Sequence, residues 1–102
     1  MATPAGGPDV KKVVLADKFA EIREHWRPAV VGMLNGQHVK LAKFQGEFVW
    51  HHHADEDELF LVLQGAIDIH LRDGVLHLEA GELAVVPRGI EHKPVAERLA
   101  HV

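Results

Sequence analysis

Cysteine is absent from this chain of 102 residues. Its absence excludes disulfides, thiolate metal ligands and cysteine nucleophiles, and it is compatible with a cytoplasmic location. No apolar run approaches the ~18 residues that a membrane-spanning helix requires. Met1–Lys12 is small, polar or rich in glycine and proline, and it lacks the apolar stretch of a secretory signal. Positive charge is not in excess either: 11 lysines and arginines face 15 aspartates and glutamates, giving a formal charge of −4. No segment is strongly basic, which argues against nucleic acid as a partner. A chain of this length forms one domain and buries roughly 60–70% of its unfolded surface, enough for a single modest core.

What is present divides along the chain. Pro4, Gly6, Gly7 and Pro8 mark residues 1–12 as a flexible arm, followed by one domain over residues 13–102. Leu15, Phe19 and Ile22 fall at helical spacing, with Asp17 early and Arg23 late, so the spacing predicts one short helix that ends before Pro28. Beyond Ala29 the period changes to two. Val30–Leu34 and Gln37–Phe44 flank Asn35-Gly36, the strongest short hairpin signal. Ile67–Arg72 and Val75–Glu79 flank Asp73-Gly74, a second hairpin turn, and place His70 and His77 on polar faces. Leu83–Val86 is a strand ended by Pro87-Arg88-Gly89. About nine short strands with turns every 8–12 residues predict an all-β sandwich or barrel.

Histidine is the outlying residue, nine in 102. Three are consecutive, His51-His52-His53, and an acidic run, Asp55–Glu58, follows at once. In an extended strand His51 and His53 share one face and His52 takes the other, so the pair forms a bidentate grip for a metal. Glu58, which opens the apolar strand Leu59–Leu63, is the candidate third ligand. That strand is apolar on both faces and therefore needs cover on both sides, from a second sheet and from the helix or another subunit. With sheet edges also to be covered, a homodimer is expected.

The segment Gly46, four residues, His51-His52-His53, four residues, Glu58, six residues, Gly65 resembles the first motif of the cupin superfamily, in particular its small single-domain members. Gly81, five residues, Pro87-Arg88-Gly89, two residues, His92, three residues, Ala96 resembles the second. The gap after Gly46 is one residue short, and Ala96 stands where the family often has asparagine. The resemblance implies a double-stranded β-helix, or jelly-roll barrel, with a metal held inside it by His51, His53, Glu58 and His92. It also implies dioxygenases, isomerases, decarboxylases and lyases as functional neighbours.

Three imidazoles and a carboxylate suit Fe, Mn, Ni, Zn, Co or Cu as divalent ions, and the donor set alone does not choose among them. Four protein ligands in an octahedron leave two positions open for water or a chelating substrate. Glu58 is alternatively a base that stays off the metal. Strand parity assigns Val49, Phe60 and Val62 to the pocket lining, apolar as small-ligand sites usually are. Two readings follow. One is a mononuclear metal-dependent enzyme, of dioxygenase, isomerase or lyase type, acting on a small organic molecule. The other is a non-catalytic sensing or binding barrel in which the metal anchors the ligand.

Overall fold

Alternation of apolar and polar side chains after Ala29 becomes eight strands, preceded by one helix. A computed structural model describes residues 10–102. The helix α1 spans Leu15–Glu21, and the strands are β1 (Ala29–Leu34), β2 (Gln37–Leu41), β3 (Lys43–Glu47), β4 (Glu58–Leu61), β5 (Ala66–Leu71), β6 (Gly74–Glu79), β7 (Leu83–Val86) and β8 (His92–His101). Most of the arm expected over residues 1–12 lies outside the described residues; Val10, Lys11 and Lys12 are exposed and irregular. Helix α1 stops at Glu21 because Ile22 turns extended, with ψ 117°, and buries its side chain with Phe19 and Leu41. Arg23 therefore lies past the helix, and Lys18 is the basic residue of its last turn. Phe19 stacks on His101 at 4.2 Å and ties the helix to β8.

The sheets are antiparallel. One has four strands in the order β3-β8-β5-β6, and β4-β7 and β1-β2 are two-stranded. Together they wrap as a double-stranded β-helix. The inward faces supply one core, in which Phe44, Phe60, Val62, Ile67, Ile69, Leu78, Val86 and Ala100 are all buried. Ala96, where asparagine was the family expectation, is fully buried in that core.

The first hairpin turns at Asn35 and Gly36 with φ of 51° and 77°, as an Asn-Gly turn requires. The second differs from the expected Asp73-Gly74 turn. Leu71 pairs with Gly74, so the loop is Arg72-Asp73 and Gly74 is already the first residue of β6. Neither Asp73 nor Gly74 takes a positive φ. Gly65, in contrast, has no substitute. Its φ is +83°, and an added Cβ would lie 2.8 Å from the Leu99 carbonyl oxygen.

On the outer face, the His77 Nδ1–H donates to Asp68 Oδ1 at 2.6 Å. This bond, with the charges of Asp68, Glu79 and Glu82, raises the His77 pKa above its ordinary value. A raised pKa means the pair's contribution to stability is complete below about pH 6.5 and is lost as pH climbs through the elevated value. NMR titration should show the His77 midpoint above that of an ordinary histidine. Asp68→Asn should return it to the ordinary range, and an unmoved midpoint would contradict the assignment.

Among the described residues two apolar surfaces are left open. Leu59 pairs with Val85 and Leu61 with Leu83, so one face of β4-β7 presents all four, each between 37% and 58% exposed. The β1-β2 hairpin shows Val30, Met33, Leu34 and Val39 to solvent, and among the described residues it joins no other sheet. The radius of gyration of 15.2 Å exceeds the ~13 Å of a compact domain this long. Among the described residues no helix is long and apolar enough to cross a membrane.

Candidate metal centre

The two motifs meet because their backbones pair. His51 and His92 exchange backbone hydrogen bonds, N–H to O, at 3.0 and 2.9 Å. The Gly89 N–H donates to the His53 carbonyl at 2.8 Å, and the Arg88 N–H donates to Asp57 Oδ1 at 2.9 Å. The acidic turn and the Pro87–Gly89 turn thus brace each other. The Arg88 amide, and then its guanidinium, hold the Asp57 carboxyl below the usual carboxylate range. Arg88 is committed to Asp57, and Lys93 Nζ to Glu47 at 2.7 Å.

This bracing gathers four donors. One ligand atom each from His51, His53, Glu58 and His92 lies within 4.8 Å of all the others. The His51 Nδ1–H donates to the Val49 carbonyl at 2.8 Å, and the His92 Nδ1–H to that of Ile90 at 2.9 Å. Both rings therefore direct an unprotonated Nε2 inward, the tautomer a metal ligand needs. His52 is exposed, as the alternation of the histidine run requires.

The donors fit a divalent transition metal on three grounds. Among the described residues, His53 Nε2 is buried without a hydrogen-bond partner. It sits 3.2 Å from Glu58 Oε2, close but outside hydrogen-bonding geometry, so the cost of burying it is unmet within the protein. His92 Nε2 lies 3.0 Å from Glu58 Oε1. With the proton of neutral His92 on Nδ1, that contact sets two lone pairs against each other, and a shared cation relieves it. Finally, donors at right angles around an ion at ~2.1 Å stand ~3.0 Å apart, close to both spacings.

The fate of the expected pocket residues is mixed. Phe60, 4% exposed, lines the cavity beside the centre. Val62 points inward but is sealed in the core with no exposed surface, so it lines nothing. Val49 is 58% exposed. Parity failed there because β3 ends at Glu47 and Phe48–Trp50 is irregular, leaving the Val49 carbonyl, not its side chain, directed at His51.

The cavity, about 350 Å³, has Leu59, Leu61 and Leu63 of the apolar strand in its wall, together with aromatic residues the sequence did not mark. Trp26, Phe44 and Phe48 line it, along with His51 and Glu58. Trp26 has φ 63°, a conformation that costs a bulky residue on the order of 1–3 kcal/mol. Its indole Nε1–H donates to the Gln45 carbonyl at 2.9 Å, and its backbone N–H donates to that of Lys43 at 2.8 Å. Trp26 stacks with Phe44 at 4.3 Å and Phe48 at 5.0 Å, and Phe48 meets the His51 ring edge-on at 5.2 Å. Nothing in the local sequence marks Trp26 for positive φ.

Comparison with known proteins agrees with this fold. Residues 37–99 match the family model of the cupin domain. The chain belongs to the cupin family. A cupin-2 domain containing protein of Shewanella frigidimarina NCIMB 400 has a similar solved structure, with a TM-score of 0.85, 45% identity and 87% of each chain covered. The cupin is also 38% identical to protein YdbB of Bacillus subtilis (strain 168) over 74 residues, 72% of this chain and 66% of the relative. It is 42% identical to acireductone dioxygenase of Sulfurihydrogenibium sp. (strain YO3AOP1) over 55 residues, 51% of this chain. The cupin thus spans about two thirds of the first relative's length and 29% of the second's.

Proposed function

We propose that this cupin is a mononuclear metal-dependent enzyme acting on a small organic molecule, with His51, His53, Glu58 and His92 as ligands. The observation that carries the reading is the buried, unpartnered His53 Nε2 among four converging donors, beside an apolar cavity of small-ligand size. When bound, a divalent metal supplies Lewis acidity or an oxygen-binding centre. The local likeness to an acireductone dioxygenase supports oxygen-dependent chemistry among the alternatives.

The chain's own residues hold the ligand and its proton. His51 and His92 are locked by their carbonyl partners, so their Nε2 atoms are in place before anything binds. Glu58 lines the cavity between His53 and His92. A substrate that chelates through a hydroxyl must give up that proton; in the alternative arrangement, with Glu58 off the metal, Glu58 is the carboxylate placed to accept it. The Phe60 and Trp26 side keeps the reacting end out of bulk water.

One observation favours the second reading, a non-catalytic binding barrel. Beyond His51 and Glu58, Lys40 is the sole titratable residue of the described cavity wall, so that wall supplies no further carboxylate or imidazole. The experiment is to load Fe(II) anaerobically and add a bidentate oxygen chelator or nitric oxide. An enzyme with open positions should show both perturbing the iron spectrum. If neither does, the centre is coordinatively closed and structural. Oxygen-dependent turnover of the chelating compound then separates enzyme from binding barrel.

We also propose that the cupin works as a homodimer in the cytoplasm. In a reciprocal pair, the hairpin of one protomer lies against the β4-β7 face of the other, and a single symmetric interface covers both open apolar surfaces. Covering Val30, Met33, Leu34, Val39, Leu59, Leu61, Leu63, Leu83 and Val85 removes on the order of 800 Å² per protomer, the area a stable dimer needs.

A further inference from the structure

The cavity beside the metal centre is unlike a general polar pocket. Its wall combines leucines with an aromatic side, and that side is held rigid. Trp26 is pinned by its indole and backbone N–H groups and stacked with Phe44 and Phe48. Phe48 carries the wall to His51. Phe60 meets Phe44 edge-on at 6.3 Å and His92 at 5.8 Å. Two of the three histidine ligands are thus flanked by a phenyl ring.

Such a wall discriminates. A polyol or sugar buried against it would leave its hydroxyls unpaired, at a cost that chelation does not recover. A flat conjugated ring loses nothing polar there and gains stacking. The left-handed backbone of Trp26 fits this use, because strain of that kind collects at ligand-binding sites.

We propose that the ligand class is a bidentate oxygen chelator attached to a flat aromatic group, such as a catechol or an aryl keto acid, with Trp26 and Phe48 as specificity-determining residues. The proposal rests on the metal-site reading above and adds to it the substrate class.

The test compares benzohydroxamate with acetohydroxamate on the Co(II)-loaded protein, each affinity divided by that for free Co(II). The Trp50→Phe background leaves Trp26 as the single indole, since the chain has two tryptophans and Trp50 lies on the outer face against Arg72. Benzohydroxamate should bind roughly tenfold more tightly and quench Trp26 fluorescence, while acetohydroxamate leaves it unchanged. Trp26→Leu should bring the ratio towards one without weakening acetohydroxamate. Equal affinities in the parent protein, or tight binding without quenching, overturns the proposal even where the metal loads normally. That comparison needs no variant at Trp26, so it stands if Trp26→Leu does not fold. Failure of Co(II) to load overturns the metal-site reading and this proposal together.

Discussion

His92→Ala should reduce metal affinity by more than about 100-fold, beyond the 10–100-fold typical of losing a residue that merely supports a ligand. His92 is 1% exposed and its Nε2 faces Glu58, so no solvent-side group can replace it. His51→Ala should behave alike. His52→Ala should retain about one metal per chain, because that ring is exposed on the opposite side. Metal content by mass spectrometry after dialysis decides, with circular dichroism confirming that each variant folds. Equal loss at His52 would mean that the histidine run binds metal as an unstructured tract. Acid should act in the same direction as the ligand variants, since imidazole must be neutral to coordinate.

Leu59→Glu combined with Leu83→Glu should convert a dimer into an 11.3 kDa monomer in sedimentation at micromolar concentration. The two positions are near neighbours on the open face of β4-β7, and placing like charges there costs a packed interface several kcal/mol. Neither side chain contributes to the core, so the barrel should stay folded and keep its metal. A parent protein that sediments as a monomer would remove the dimer proposal. The open hairpin would then stand as a solvated arm.

The features legible in the sequence were those enforced by one local rule. Asn35-Gly36 had to turn, and the alternation in Ile67–Arg72 could only be a half-buried strand. The four converging donors were legible because the alternation of an extended run puts His51 and His53 on one side and the spacings to Glu58 and His92 match a family pattern. The local rule fails where a non-local contact overrides it. Val49 was assigned by strand parity, but pairing of β3 with β8 ends at Glu47 and the parity with it. Asp73-Gly74 carries a turn signal, but the Leu71–Gly74 pair extends the ladder by one step. Trp26 was invisible because its partners, Lys43, Phe44 and Gln45 of β3 and Phe48 just beyond it, lie more than fifteen residues away. Its backbone strain is imposed by those contacts and not by its neighbours in sequence. The apolar strand Leu59–Leu63 was read correctly as two-faced, with Phe60 and Val62 inward. Its outer face remains open among the described residues.

The central claim is that His51, His53, Glu58 and His92 hold one divalent metal. Pulsed EPR of the Cu(II)-loaded protein tests it most directly, because the remote imidazole nitrogen of each bound histidine modulates the echo. Three imidazoles per ion are expected in the parent protein, matching the three histidines gathered at the centre, and two in His53→Ala. A parent spectrum with a single imidazole, or one unchanged by His53→Ala, would contradict it.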